Sequence, residues 1–202
     1  MRFGFVGLGQ MGAPMAINLA HDHDVLVYDQ NASAIAKVER YGAKRADKLD
    51  QFSDVDVLIT CLPAAKIVDS ALFDSNTGLA QHLKPNAVVV DTSTIEYGAT
   101  LEIRDRLQTA GLRFLDAPVS GGDLGAREAR LVIMVGGSES GFARARPVFD
   151  LMGKNIARHG GPGAGQHCKM ANQIAVAVGM VAWVEALAYA KKEGLDPAAV
   201  HA

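Results

Sequence analysis

The stretch GFVGLGQMGAPMA, residues 4–16, joins a short run of strand-forming residues to a run with helical periodicity. Its glycines follow the pattern G-x-G-x-x-G. In such a turn the first glycine permits a tight bend, the second lets the backbone approach a pyrophosphate, and the third lets helix and strand pack closely. The helix amino end then faces the anion. The stretch predicts a dinucleotide site, with a merely structural turn as the alternative. The residues predicted to contact the cofactor here are Gly7, Leu8, Gly9, Gln10, Met11 and Gly12.

An acidic residue follows at the end of the next predicted strand. Asp29 lies 20 residues after Gly9, and a carboxylate there can accept hydrogen bonds from the adenosine ribose while repelling a 2′-phosphate. The next basic residue along the chain is Lys37, whereas NADP-binding proteins usually place an arginine close to this strand end. We therefore expect NAD rather than NADP, with a solvated turn residue as the alternative interpretation of Asp29.

Short β-branched runs alternate with amphipathic stretches after this turn, a pattern typical of an α/β fold with a doubly wound, mostly parallel Rossmann-type sheet. Pro147 is expected to break the last of these helices. The predicted strands are Phe3–Val6, Val25–Tyr28, Val55–Thr60, Ala87–Val90, Arg113–Leu115, Leu131–Val135 and Asn155–Arg158. The predicted helices are Met11–Ala20, Ala32–Tyr41, Tyr97–Ala110 and Ser140–Met152.

The glycine-rich segment HGGPGAG, residues 159–165, predicts a boundary between a dinucleotide-binding domain, residues 1–162, and the start of an all-α domain, residues 163–202. Beyond it, residues 166–193 predict one long helix ended by Gly194, and Pro197 is suited to start another. The long helix is apolar nearly all round, so most of its sides must be covered. We expect either a partner subunit or a further part of a longer chain to cover it.

Composition excludes several classes of protein. The 202 residues carry a net charge of −2 and are 49% hydrophobic. This composition fits a globular protein and does not suggest a nucleic-acid-binding protein, which would need a basic face. Two cysteines, Cys61 and Cys168, fit a reducing compartment. The 11-residue apolar run at residues 174–184 is short for a membrane span. We expect a cytoplasmic protein that binds no membrane and no metal, since HDHD at residues 21–24 reads as a solvated turn.

Three segments resemble the β-hydroxyacid dehydrogenase family in order and context: GLGQMGAPMA (residues 7–16), DAPVSGGDLGA (116–126) and GAGQHCKMANQ (163–173). The family includes 3-hydroxyisobutyrate dehydrogenase and tartronate semialdehyde reductase, with 6-phosphogluconate dehydrogenase as a more distant relative. The resemblance covers the whole chain. It implies that Leu62, Pro63 and Thr94 contact the cofactor from the strand ends.

The resemblance also assigns the substrate site. It implies that Ser120, Gly121 and Gly122 bind the substrate carboxylate, and a hydroxyl beside two unhindered backbone N–H groups is a compact anion site. Lys169 corresponds to the family's catalytic lysine. Near a helix amino terminus, partly desolvated and close to a cofactor, a lysine has a lowered pKa and can exchange the proton of an alcohol. Asn172 lies on the same helix face and is expected to hold the substrate or the lysine.

The chain departs from the family pattern in three respects. Many members carry a second asparagine where this chain has Gln173, which we expect to take the same substrate-binding role with one more methylene. The chain also lacks the histidine that 6-phosphogluconate dehydrogenases place before their asparagine, which argues against decarboxylation of phosphogluconate. Family members continue into a helical domain that closes the cleft, so we expect this chain to be truncated relative to them.

These features predict an NAD-dependent oxidoreductase that reversibly oxidises a small 3-hydroxy acid, such as 3-hydroxyisobutyrate, to its semialdehyde. We expect a homo-oligomer formed through the helix at residues 166–193. The alternative from another class is a catalytically silent NAD-binding protein that assembles through that helix. Among enzymes, an imine reductase is disfavoured because those relatives usually replace the lysine that this chain keeps.

Overall fold

A computed structural model describes residues 1–201, in which nine strands form one sheet flanked by eight α-helices and two short 3-10 helices. The strands are β1 (Arg2–Val6), β2 (Asp24–Tyr28), β3 (Lys44–Arg45), β4 (Val57–Thr60), β5 (Val88–Asp91), β6 (Arg113–Asp116), β7 (Val119–Ser120), β8 (Leu131–Gly137) and β9 (Gly153–Gly160). The α-helices are α1 (Gly12–Ala20), α2 (Ala32–Glu39), α3 (Ala65–Phe73), α4 (Tyr97–Thr109), α5 (Gly122–Arg127), α6 (Glu139–Asp150), α7 (Ala164–Lys192) and α8 (Pro197–His201). The 3-10 helices are Leu49–Asp54 and Ala80–His82.

The sheet is mostly parallel, as predicted. Its strand order is β3-β2-β1-β4-β5-β6-β8-β7, with β9 paired to β8. Only the pairings of β8 with β6 and with β7 are antiparallel among the described strands. The first strand lies between β2 and β4, so the chain winds outward from it in both directions. Doubly wound sheets bind their ligands at such a switch point, outside the carboxyl ends of the strands.

Two hydrophobic clusters, one on each face of the sheet, form the core. Side chains of successive strand residues point to opposite faces, so Val57 and Ile59 of β4 belong to one cluster while Leu58 belongs to the other. All three side chains are fully buried. A strand buried on both faces reads as a continuous apolar run, which is why β4 and β5 were recognisable from the sequence.

The predicted elements match the structure with a few differences. The structure adds α3 and α5 and the short strands β3 and β7, none of which the periodicity indicated. The predicted break at Pro147 is wrong, since α6 runs without interruption from Glu139 to Asp150. Lys169 lies in the second turn of α7, because this helix begins at Ala164. The short helix α8 begins at Pro197, as predicted.

The long helix α7 is exposed over most of its length. Only its amino-terminal part packs closely against the sheet, and apolar side chains such as Ile174, Val178 and Val184 are more than half exposed. The predicted 11-residue apolar run lies within a helix of 29 residues whose most apolar window has a mean hydropathy of 1.6. By length and composition alone this helix could cross a membrane. Core helices of soluble proteins can meet the same two criteria.

Replacing Pro147 by alanine is expected to stabilise the protein. Pro147 is exposed inside α6, where it supplies no N–H to the helix, and proline in a helix interior costs about 3 kcal/mol relative to alanine. Part of this gain is lost because alanine gives the unfolded chain more freedom. We expect the free energy of unfolding in urea to rise by about 1–2 kcal/mol.

The matched control for this change is Pro14→Ala. Pro14 lies in the first turn of α1, where the N–H has no partner within the helix, so this substitution should change the stability little. An unchanged or lower stability of the Pro147 variant would contradict the expectation.

Candidate active site

The turn between β1 and α1 has no room for side chains at two of its glycines. Gly7 has φ +92°, and a Cβ added there would lie 2.2 Å from the Cys61 carbonyl oxygen. A Cβ on Gly12 would lie 1.9 Å from the Gly7 carbonyl oxygen. Backbone atoms cannot yield at such distances without moving the strand. These two glycines are therefore required by the packing of β1, β4 and α1.

Gly9 differs from both, because a Cβ added there would meet no atom within 4 Å. Among residues 1–201, the backbone N–H groups of Gly9, Gln10 and Met11 find no protein acceptor. An exposed turn with free N–H groups at a helix amino terminus fits the pyrophosphate of a dinucleotide. The predicted cofactor turn thus has the shape and the donors that such a group requires.

The Asp29 carboxylate has a structural role in addition to the predicted one. Its Oδ2 atom accepts a hydrogen bond of 2.6 Å from the backbone N–H of Leu8, and its Oδ1 atom accepts one of 2.7 Å from Asn31. A carboxylate oxygen accepts more than one hydrogen bond, so both atoms keep capacity for a ribose hydroxyl. Asp29 therefore ties the glycine turn to the end of β2.

A cleft of about 410 Å³ lies where the carboxyl ends of the central strands meet the start of α7. Eight predicted site residues line it: Met11, Leu62, Thr94, Ser120, Gly121, Gly122, Lys169 and Gln173. Cys61, Thr92, Ser93 and Val119 complete the lining. The predicted residues that do not line this cleft are Gly7, Leu8, Gly9, Gln10, Gly12, Asp29, Pro63 and Asn172.

A hydrogen-bond network behind the cleft holds the segments that follow β4 and β5. The Leu62 N–H donates to Ser93 Oγ at 2.9 Å, and Thr92 Oγ1 donates to the Thr60 carbonyl at 2.7 Å. The Asp91 carboxylate accepts from Thr60 Oγ1 at 2.8 Å through Oδ1. This network keeps the predicted cofactor contact Leu62 in a defined place beside β5.

Asp91 is a residue that the sequence analysis did not single out, although it lies three residues before the predicted cofactor contact Thr94. Its side chain is fully buried and its Oδ2 atom has no hydrogen-bond partner among the described residues. Burial raises the pKa of Asp91 to about 6, against hydrogen bonds to Ser93 and Thr60 that lower it. The charged form is thus held at a cost in free energy.

The segment Ser120–Gly122 turns sharply from β7 into α5. Gly121 has φ +130° and Gly122 has φ +63°, conformations that other residues adopt only with strain. A Cβ on Gly122 would meet no atom within 4 Å, and in the described chain the N–H groups of both glycines lack a protein acceptor. The half-buried Ser120 hydroxyl and two free N–H groups thus border one side of the cleft.

Lys169 lines the cleft from α7 and is only 9% exposed. Burial lowers its pKa from the ordinary lysine value, because desolvation disfavours the charged amine. The predicted direction of this shift is therefore present in the structure. Asn172 is half-buried and donates from Nδ2 to the Oε1 atom of Gln173 at 3.2 Å. The predicted pair of amides thus contact each other, and only Gln173 reaches the cleft lining.

A larger cavity, of about 510 Å³, lies between α3 and α4. Its one arginine, Arg106, already pairs with Asp69 and stacks on the Phe73 ring at 3.8 Å. No predicted site residue lines it. Over residues 1–201, no cluster of three or more His, Cys, Asp or Glu side chains has the arrangement of a metal site. The cleft at the strand ends is therefore where the chemistry-bearing residues converge.

Comparisons with known proteins agree with this geometry. Residues 2–161 match the family described as the NAD binding domain of 6-phosphogluconate dehydrogenase, and residues 163–202 match the NAD-binding family of NADP-dependent 3-hydroxyisobutyrate dehydrogenase. The chain is 42% identical to 2-hydroxy-3-oxopropionate reductase of Escherichia coli, over 99% of this chain and 68% of that protein. This chain belongs to the β-hydroxyacid dehydrogenase family.

Other members of the β-hydroxyacid dehydrogenase family support the assignment. The 3-hydroxyisobutyrate dehydrogenase of Pseudomonas aeruginosa is 42% identical over 96% of this chain and 65% of its own length. The Mycobacterium tuberculosis 3-hydroxyisobutyrate dehydrogenase, solved with L-serine, superposes with a TM-score of 0.88 at 36% identity, over 96% of this chain and 66% of that chain. This chain thus spans about two thirds of the length of these relatives. The predicted family, the NAD(P)-dependent oxidoreductase class and the Rossmann-type fold are confirmed.

Alanine substitutions at Gly12 and Gly9 are expected to affect different properties, the stability at Gly12 and the NAD affinity at Gly9. Gly12→Ala forces a methyl group against the Gly7 carbonyl and should lower the free energy of unfolding by about 3 kcal/mol. Gly9→Ala places a methyl group where no protein atom lies, so the stability should stay unchanged while NAD affinity falls about tenfold or more. Thermal unfolding and calorimetric titration with NAD measure the two effects. Gly98→Ala in α4, where an added Cβ also meets no atom, is the control and should leave NAD affinity unchanged without lowering the stability. Loss of stability without loss of affinity for Gly9→Ala would contradict this.

Asp91→Asn is expected to change how stability depends on pH. The raised pKa means that native Asp91 holds its proton more tightly than unfolded Asp91, so its contribution to stability is present at low pH and is lost as pH rises from about 4 to about 6. A shift from 3.8 to about 6 corresponds to about 3 kcal/mol. The asparagine variant should therefore gain up to about 3 kcal/mol on the wild type between about pH 4 and pH 7.

Urea unfolding at several pH values measures this difference. The control is Asp105→Asn, an exposed carboxylate on α4, whose difference from the wild type should not change in the same pH window. Parallel pH profiles for wild type and Asp91→Asn would show that the buried carboxylate titrates normally.

Proposed function

We propose that this protein reversibly oxidises a small 3-hydroxy acid to its semialdehyde with NAD. The observation that carries the proposal is the placement of the buried Lys169 in one cleft with the segment Ser120–Gly122 and the strand-end residues Leu62 and Thr94. An anion site, a proton-transfer group and the border of a dinucleotide site therefore meet within a space that fits a small acid.

In this proposal the chain's own residues bind the substrate carboxylate and transfer the hydroxyl proton. The hydroxyl of Ser120 and the free N–H groups of Gly121 and Gly122 hold the substrate carboxylate. Lys169 takes the hydroxyl proton in the direction of oxidation and returns it in the direction of reduction. Its lowered pKa leaves more of the amine neutral, and therefore able to accept a proton, at neutral pH. A bound nicotinamide dinucleotide would supply the acceptor for the hydride that leaves the substrate carbon.

Two amides on α7 would complete the substrate site. Gln173 lines the cleft and can donate to a substrate oxygen from its Nε2 atom while its Oε1 atom accepts from Asn172. Asn172 would then act by orienting Gln173, in addition to the direct role expected from the family. The additional methylene of glutamine extends this amide further into the cleft than an asparagine could.

We propose NAD as the preferred cofactor on the basis of Asp29. This carboxylate lies beside the glycine turn, where its charge opposes a 2′-phosphate. The neighbouring positions Gln30 and Asn31 provide no positive charge to offset it. We expect a higher kcat/KM with NAD than with NADP.

The same features support the remaining parts of the proposal. Residues 1–162 would form the dinucleotide-binding domain and residues 163–202 the start of a helical domain, because α7 begins directly after Gly163. The exposed apolar side chains of α7 support a homo-oligomer, because a second copy of the chain could cover them. The net charge of −2 gives no overall positive charge that would favour binding to nucleic acid or an anionic membrane, and we propose a cytoplasmic location. The catalytically silent alternative is not favoured, since the relatives in comparison are reductases and dehydrogenases.

The test is reduction of NAD or NADP, followed by absorbance, with 3-hydroxyisobutyrate, glycerate and 4-hydroxybutyrate as candidate substrates. Lys169→Met keeps the length of the side chain and removes the amine, and should lower kcat by about 100- to 10,000-fold. Lys154→Met, an exposed lysine on β9, is the matched control and should retain wild-type activity. Retained activity in Lys169→Met would overturn the role of this lysine, and NAD binding without turnover in the wild type would favour the silent alternative.

A further inference from the structure

The amino terminus of α7 receives its cap from a distant strand. Its own N-cap residue, Gly163, has no side chain to offer. Instead the Asp116 carboxylate, at the end of β6, accepts a hydrogen bond of 2.7 Å from the Gly163 N–H through Oδ1 and one of 3.0 Å from the Gln166 N–H through Oδ2. One carboxylate therefore satisfies two of the N–H groups that a helix start leaves unpaired.

Two glycines pack closely around the Asp116 carboxylate and the start of α7. A Cβ added to Gly136 of β8 would lie 2.4 Å from Asp116 Oδ1, and one added to Gly165 of α7 would lie 2.3 Å from the Met134 carbonyl oxygen. Both glycines thus make room for the contact between β6, β8 and α7. The first turn of α7 therefore packs directly against the backbone of β6 and β8.

A second buried side chain ties the same turn to the cofactor side of the cleft. Gln166 is 5% exposed; its Nε2 atom donates to the Ser93 carbonyl at 2.8 Å, and its Oε1 atom accepts from the Ile95 N–H at 3.4 Å. These two bonds bracket Thr94, the predicted cofactor contact that lines the cleft. The first turn of α7 is therefore anchored to β6 and to the segment after β5.

Lys169 follows Gln166 by three residues, so the two side chains lie on the same face of α7. Burial raises the pKa of Asp116, while hydrogen bonds from backbone N–H groups at the start of α7 lower it. A buried carboxylate adds little to stability by itself, but its hydrogen bonds to two separate backbone N–H groups fix where the helix begins.

We propose that Asp116 and Gln166 are positioning residues that together fix the first turn of α7, and through it the Lys169 amine, against the cleft. The proposal rests on the proposed function in one respect, namely that Lys169 transfers the proton. Neither residue is required to touch the substrate. Reaction rates respond steeply to such placement, since a displacement of about 1 Å can cost about 100-fold.

The test compares Asp116→Asn and Gln166→Met with the wild type. Asparagine keeps one acceptor and turns an N–H₂ group toward a backbone N–H, while methionine keeps the volume of glutamine and loses both hydrogen bonds. Three quantities are measured: kcat and KM for the best hydroxy acid, NAD affinity by calorimetry, and hydrogen exchange of the amides in residues 163–169. For Asp116→Asn we expect kcat to fall about 10- to 100-fold at unchanged NAD affinity, with loss of protection confined to residues 163–169.

Two further variants separate positioning from general destabilisation. Gly136→Ala keeps the aspartate in the sequence but pushes its carboxylate away from the start of α7, so it should reproduce the loss of kcat. Val148→Ala truncates a fully buried side chain of α6 and serves as the control of lowered stability, with kcat kept at the wild-type level below its melting temperature. A folded Asp116→Asn whose kcat matches that of Val148→Ala would overturn the proposal. If Asp116→Asn does not fold, Gln166→Met decides in the same way.

The proposed function and this inference fail separately. If the wild type shows no turnover, the proposed function fails, and the positioning role is then decided by amide exchange and by modification of Lys169 with trinitrobenzenesulfonate at about pH 10, where protonation limits the reaction little. Exposed Lys191 and Lys192 at the end of the same helix provide the internal standard. We expect Lys169 to be modified faster in Asp116→Asn and Gln166→Met; unchanged exchange and an unchanged relative rate would overturn the positioning role.

Discussion

The parallel hydrogen-bond ladder that joins β1, β4, β5 and β6 is the constraint on which the rest of the structure depends. It continues one residue beyond the strand ends: the Cys61 N–H donates to Val6, the Thr92 N–H to Thr60 and the Ala117 N–H to Asp91, at 2.9, 2.8 and 2.7 Å. Parallel strands in register leave the sheet side by side at one edge. The segments that follow them are therefore brought together whatever their sequence, and the residues that they carry form one cleft.

This edge also collects buried charge. Asp91 and Asp116 end neighbouring strands and both have raised pKa values because they are buried, while burial lowers the pKa of Lys169 nearby on α7. Burial therefore disfavours the charged form of all three groups, and hydrogen bonds partly offset this for the two aspartates alone. Residues kept at such a cost are expected where geometry matters for function. The two clusters on either side of the sheet consist of apolar side chains, whose burial stabilises the fold.

Local patterns explain why some elements were predictable. The central strands are apolar on both faces, so they stand out as continuous runs, and the glycine turn carries its spacing within six residues. The break predicted at Pro147 does not occur because a proline on the exposed side of a helix costs only about 3 kcal/mol. The packing of Ala145, Val148 and Phe149 of the same helix in the core contributes more than this. The helix α3 was not predicted because its buried face consists of little more than Val68 and Leu72, too few residues for a clear helical period.

By itself the sequence determined the family, the Rossmann-type sheet, the glycine turn and the identity of most residues in the cleft, since each of these depends on residues close together in the chain. Only the tertiary structure decided how those residues meet. The bonds from Asp116 to Gln166 and from Gln166 to Ser93 join positions 50 and 73 residues apart, and neither aspartate nor glutamine carries a local signal of such a partner. The physical reason is that a hydrogen bond between distant segments depends on the register of the whole sheet, which no short stretch of sequence contains.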